Sequence, residues 1–202
     1  MSGRLQTEPD VAKLLRGFVL ASSSPRRRQL LAEAGYDFEV ISPTIPEPDE
    51  ALPKLAPSQQ AEALAYFKAR AIFDEHPGRV VLGADTIVAL GGKVLGKAAN
   101  ADEARRMLNL LSGTRHAAIT GLALLRPDGS RLIASDVTYI TMRPLAPAEV
   151  GDYVASGEWI GKAGAYAIQE TADRFVQLIE GSFSNVVGLP LELLSRMIRE
   201  IA

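Results

Sequence analysis

The run Ser22-Ser23-Ser24-Pro25-Arg26-Arg27-Arg28 gathers three hydroxyls and three guanidinium groups around one candidate helix start. A helix N-terminus carries about half a positive charge and unpaired N–H groups, so each arginine there opposes the dipole by about 0.3–1 kcal/mol. The placement makes sense if a phosphate or polyphosphate sits among the hydroxyls, amides and guanidinium forks. The plainer alternative is that the arginines are solvated and Ser24 only caps. No Walker A pattern, Gly-x-x-x-x-Gly-Lys, is present. Asp85 is the second anomaly, the one charged side chain in an otherwise apolar stretch over 80–90. A buried carboxylate needs a cation, a metal, a catalytic role or strand-end hydrogen bonds, since an unpaired one takes up a proton.

Basic residues elsewhere can reach the same place. Lys68 lies on the apolar line of its helix, between Leu64 and Ile72; taken alone, it snorkels. Lys97 follows Leu95-Gly96 at the end of the hairpin that carries Asp85, and either enters the same cleft or stands in solvent. Lys162 lies among small residues where a backbone or ligand can come close. Glu47, in a proline-rich segment, is either a solvated loop residue or, with Asp85, a source of the hard oxygen ligands that magnesium and manganese prefer. His116 reads as structural, and Trp159 as a core residue or a base-stacking one. An anion cradle, cations from several elements, and carboxylates for a divalent ion and an attacking water are the parts needed to hydrolyse a phosphate anhydride.

The elements that must position these residues follow from pattern. A strand over 18–21 meets the serine loop; Ser24 is the N-cap of the next helix, Pro25 its first residue, and Gly35 its C-terminal stop. A brief strand over 38–41 precedes a stretch over 43–57 with five prolines, which reads as a long loop walling or covering a cleft. Ser58 is expected to cap a helix to 75. The apolar run over 80–90 turns at Gly91-Gly92 into a hairpin. Asn100 with Glu103 forms a capping box for a helix that ends before Gly113. Strands over 117–125 and 132–142 join at Pro127-Asp128-Gly129, a helix follows over 147–156, and Pro190 opens a C-terminal helix. Interspersed strands and helices, with hairpins, predict an α/β fold on a mixed sheet.

The 202 residues suit one unit, possible as two lobes, and 47% hydrophobic with 23% charged residues is the composition of a folded globule. Twenty-two basic against 24 acidic side chains give a net charge of -2, so nothing draws the whole chain to nucleic acid or an anionic membrane. With no cysteine, disulfides, thiolate nucleophiles and Cys-based zinc sites are excluded. The two histidines are forty residues apart, without metal-site spacing. No signal peptide or spanning segment is evident, and a cytoplasmic location is the expectation.

Six motifs in order then resemble a known family. They are Leu20-Ala21-Ser22-Ser23-Ser24-Pro25-Arg26-Arg27; Gly83-Ala84-Asp85-Thr86; Leu95-Gly96-Lys97; Leu111-Ser112-Gly113 with His116 and Thr120-Gly121; Lys162-Ala163-Gly164-Ala165-Tyr166 with Ile168-Gln169; and Gly181-Ser182 with Asn185-Val186-Val187-Gly188-Leu189-Pro190. From Phe18 to the C-terminus the chain resembles the Maf nucleoside triphosphate pyrophosphatases, with residues 1–17 as an extension and 18–202 as one bilobed domain. The resemblance implies an elongated mixed sheet flanked by helices, with a cleft between two lobes as in the inosine triphosphatases, and a homodimer. It implies that Asp85 activates water, that Ser24, Arg26 and Arg27 contact phosphate or substrate, and that Lys68 and Lys97 flank the triphosphate. Glu47 falls at the family's metal-linked loop acid, and Arg26, Thr86 and Gln169 at positions tied to substrate choice. The implied reaction is water attack on the α-phosphorus of a nucleotide, giving nucleoside monophosphate and pyrophosphate with magnesium or manganese.

The stretch from Lys162 to Gln169 resembles the dTTP/UTP branch rather than the 7-methyl-GTP branch. The chain departs from the family pattern at Pro46, Ala98, Trp159, Gly161, Ala167 and Glu170, around the base-reading side. Two other activities stand beside this one: a non-catalytic nucleotide-binding regulator of cell division, from the family's other description as a septum-formation inhibitor, and a phosphatase that removes only the terminal phosphate.

Overall fold

The computed structural model describes residues 11–44, 52–168 and 171–201. Its elements in chain order are α1 (Val11–Leu14), β1 (Arg16–Ala21), α2 (Pro25–Glu33), β2 (Asp37–Ile41), α3 (Pro57–Glu75), β3 (Val81–Leu90), β4 (Lys93–Leu95) and α4 (Ala101–Leu111). There follow β5 (Arg115–Leu125), β6 (Arg131–Met142), α5 (Pro147–Ser156), β7 (Val176–Glu180), α6 (Phe183–Val187) and α7 (Leu191–Ile201). The sheet has seven strands in the order β2-β1-β3-β5-β6-β7, with β4 paired to β3. Strand β1 runs parallel to β2 and β3, and the other pairings are antiparallel. The α/β class and the mixed sheet expected from the sequence are what the chain forms.

One helix covers one face. The nineteen-residue α3 lies along β3 and β5 and can come close because both strands carry glycine beneath it. A Cβ on Gly83 would lie 2.1 Å from the Ala65 carbonyl oxygen, and one on Gly121 2.3 Å from that of Ala61. Ala61, Ala65 and Ala69 form the matching small stripe and are fully buried. The opposite face is covered in two parts. Near one end, α1, α2 and α7 bury Phe18, Leu20, Leu31, Leu82, Leu124 and Leu194. Near the other, α4 and α5 bury Leu108, Leu111, Ala118, Ile140, Met142 and Tyr153. Each fully buried Leu, Ile or Phe contributes about 1.5–3 kcal/mol of transfer free energy. The short α6 packs on β5 and β6, and this face of the sheet carries two separate hydrophobic clusters.

Burial on both faces explains the nearly continuous apolar run of β3. Ser24 accepts from the Arg27 amide, Pro25 begins α2, and Gly35 sits at φ 79° behind it, as the sequence predicts. Helix α3 starts earlier than expected. Ala56 is its N-cap and Pro57 its first residue, and the Gln59 side-chain carbonyl accepts from the Ala56 N–H at 3.1 Å, so Ser58 lies inside the helix. A 3-10 turn over Leu52–Lys54 interrupts the expected loop. Strand β7 and helix α6 are additional to the sequence reading. Val11, Ala12 and Leu15 belong to the buried cluster under α7, and β1 begins at Arg16, two residues before the expected strand.

Candidate active site

The cleft arises from a mismatch in strand length. β1 pairs with β3 only from Val19 opposite Val81 to Ala21 opposite Gly83, and the chain then leaves the sheet through the serine loop into α2. β3 continues, and β4 joins it only at Val88. Over 84–87, β3 therefore has an open edge at the carboxyl end of a parallel strand, where ligands of α/β sheets bind. Asp85 and Thr86 are neighbours there and point to opposite faces by strand alternation. Asp85 turns to the α3 side, where Lys68 donates a charge-assisted hydrogen bond to its Oδ1. Thr86 turns to the α2 side and accepts from Arg27.

The resulting cleft has a volume of about 520 Å³, within the range of small-molecule sites. Ser22, Ser23, Ser24, Arg26, Arg27, Lys68, Asp85, Thr86, Lys97 and Lys162 form the polar part of its lining. Val88, Ala118, Ile160, Tyr166, Ile168 and Val186 form a mostly apolar part. Among the described lining residues there are five cations and one acid, Asp85. Such a cavity selects a ligand with a strongly anionic part and a flat or apolar part.

Arg26 and Arg27 differ in their surroundings from Arg28 because successive helical residues turn by about 100°. Arg27 is buried, Arg26 is partly exposed at the cleft, and Arg28 is exposed and outside its lining. Arg27 donates through Nε to the Gly188 carbonyl at 2.8 Å, through Nη1 to Ser22 Oγ at 3.1 Å and through Nη2 to Thr86 Oγ1 at 3.1 Å. Burial pulls its guanidinium below the ordinary arginine value, and the Asp85 carboxylate works against that. With three N–H groups committed, one remains on each terminal nitrogen for a ligand.

Tyr166 in the cleft wall is fixed from behind by His116, whose Nε2 lies 2.6 Å from its hydroxyl, with the two rings edge to face. Burial pushes the Tyr166 phenol well above its usual value and lowers His116 to about 4. Both are neutral near pH 7. Trp159 is a core residue: it is buried, and its Nε1 donates to the Val154 carbonyl. Ile160 beside it is 65% exposed at the rim, an apolar contact that the sequence alone did not single out.

The structure thus brings Ser24, Arg26, Arg27, Lys68, Asp85, Thr86 and Lys97 to one cleft. Glu47 and Gln169 lie outside the described residues. The wall made by Val186, Val187 and Gly188 was visible beforehand only as a motif within the resemblance. Among the described residues, no group of three or more His, Asp or Glu side chains is placed to hold a metal. Magnesium, however, is commonly bound through one or two carboxylates plus substrate phosphates, and Asp85 beside a polyanion-sized cleft fits that donor set.

A family model described as Maf-like protein matches residues 17–201. The chain belongs to that family. A protein of Geobacillus sp. (strain WCH70) named dTTP/UTP pyrophosphatase is 44% identical over 188 residues, covering 93% of this chain and 97% of its own. One of the same name from Anaeromyxobacter dehalogenans (strain 2CP-C) is 47% identical over 184 residues, covering 90% and 92%. Among solved structures, a HAM1 protein from Coxiella burnetii superposes with a TM-score of 0.51 at 19% identity, covering 92% of this chain and all of that one. This last likeness concerns the fold alone, and it agrees with the elongated sheet expected from the sequence. Among the described residues, no helix is long and apolar enough to cross a membrane.

Proposed function

We propose that the chain is a nucleoside triphosphate pyrophosphatase that takes dTTP or UTP, directing water to the α-phosphorus and releasing nucleoside monophosphate and pyrophosphate. The observation that carries this reading is Asp85, the one described acid among five cations in the cleft lining, set across the open edge of β3 from the start of α2. The relatives named dTTP/UTP pyrophosphatase support the substrate class.

In this reading the triphosphate occupies the polar part. Arg27 offers its two uncommitted N–H groups in a fork suited to a phosphate, and Arg26, Lys97 and the serine loop supply further donors. Asp85, held in place by Lys68, takes the proton of the attacking water. Lys68 keeps an otherwise buried carboxylate compensated while its own charge faces the phosphates. The nucleobase lies along the apolar part, against Tyr166, Ile168 and Ile160. A divalent ion bound by Asp85 and the phosphate oxygens would neutralise charge developing on the leaving pyrophosphate. Glu47 is the second proposed metal ligand and Gln169 a proposed base contact.

The test is pyrophosphate release from a panel containing dTTP, UTP, 7-methyl-GTP and the other common triphosphates, with magnesium or manganese. Wild type should release pyrophosphate, with dTTP and UTP preferred. Asp85→Asn should lose about 10²–10⁴-fold in kcat while keeping its fold. Orthophosphate as the product, nucleotide binding without turnover, or an Asp85→Asn variant at full rate would each refute the reading.

A further inference from the structure

Two threonine hydroxyls, the half-buried Thr86 and the fully buried Thr120, form a directed chain behind Arg27. Thr120 Oγ1 donates to the Asn185 carbonyl at 3.0 Å, which uses its one proton. Thr86 Oγ1 lies 2.9 Å from Thr120 Oγ1 and 3.5 Å from the Gly188 carbonyl. Since Thr120 has no proton left to give, Thr86 donates to Thr120, the shorter of its two contacts. The lone pairs of Thr86 are then turned to Arg27 Nη2. Thr120 is fully buried and lies outside the cleft lining. It faces Thr86 across the β3–β5 ladder, and the Asn185 it binds is in α6.

We propose that Thr120 is a positioning residue for the phosphate-binding fork of Arg27. By orienting the Thr86 hydroxyl as an acceptor, it fixes one of the three anchors of the guanidinium. Without the Thr120 oxygen, the Thr86 proton turns to the Gly188 carbonyl and competes there with Arg27 Nε, so two anchors loosen together. The inference rests on the reading of the cleft as a nucleotide site.

Thr120→Val keeps the shape and removes the hydroxyl. Its kcat/KM for the preferred triphosphate should fall about 10- to 100-fold, mostly in kcat, because the fork loses alignment with the reacting phosphate. Thr120→Ser should restore the rate to within about 3-fold. The Arg27 side-chain Nε–H resonance, slowly exchanging in wild type and in Thr120→Ser, should exchange fast in Thr120→Val. Thr138→Val is the structural control: that hydroxyl is equally buried and binds Asn185 and the Ser182 carbonyl, with no link to Arg27. It should lower the melting temperature and leave kcat/KM within about 2-fold.

An unchanged rate and an unchanged Arg27 resonance in Thr120→Val would overturn the inference, as would an equal loss of activity in Thr138→Val. Thr120→Ala replaces the valine variant if that one does not fold. If wild type hydrolyses no triphosphate, the functional reading fails by itself, and the Arg27 resonance still decides the role of Thr120.

Discussion

Acidification should destabilise this protein through His116. The imidazole is 2% exposed, bonded through Nε2 to the Tyr166 hydroxyl, and its Nδ1 has no partner among the described residues. Protonation would place a charge and an unmatched N–H in the core beneath the cleft wall, so burial holds the group at about 4 against an ordinary 6.5. The unfolded chain binds the proton more readily than the native one between these values. Stability is therefore fully present above the unfolded value and is lost as pH falls toward the folded value, with no further loss below it. The whole window corresponds to about 3 kcal/mol, of which about 2 kcal/mol disappears between about pH 7.5 and pH 5. Urea unfolding of wild type and His116→Phe at the two pH values isolates this contribution, since other groups titrate in both proteins. The phenylalanine keeps the edge-to-face contact but cannot titrate, so the advantage of wild type over the variant should shrink by about 2 kcal/mol at the lower pH. A difference that stays constant within about 0.5 kcal/mol would refute the argument.

Two further perturbations address the packing and the site. Gly121→Ala would drive a Cβ into the backbone of α3 and should cost about 3 kcal/mol or more, whereas Gly96→Ala, with nothing within 4 Å of the added carbon, should be close to neutral. Chemical denaturation of the two variants compares them directly, and a mild Gly121→Ala would show that α3 can lift off the sheet. Lys68→Met should reduce kcat/KM about 100-fold or more, because Asp85 then sits buried without its cation. An unchanged rate in pyrophosphate-release assays would mean that Lys68 does not serve the carboxylate.

The local signals are short-range and legible in the sequence. Ser24 as cap, Pro25 as first helical residue and Gly35 at positive φ each act within one helical turn, so neighbouring residue types suffice to place α2. Asp85 stood out for a similar reason, since one acid in a run buried on both faces is costly wherever the strand lies. Strand β7 and helix α6 were missed because β7 is an edge strand with three of its five residues exposed, and α6 is a five-residue helix with its small polar residues turned inward. Neither carries a period that a sequence displays.

Residue types and spacing determined that this chain folds as an α/β protein, has an arginine-rich helix start and hides a carboxylate in a strand. Only the tertiary structure decided that β1 stops opposite Gly83 while β3 runs on, leaving Asp85 and Thr86 at an open edge. It also decided that Lys68 is Asp85's partner and not a snorkelling side chain, and that Arg27 turns inward to Ser22, Thr86 and Gly188 while Arg28 faces solvent. Helix caps and hydrophobic periods are set by residues a few positions apart. Tertiary contacts join residues as distant in sequence as Arg27 and Gly188, 161 positions apart, and those partners exist only once the chain has closed on itself.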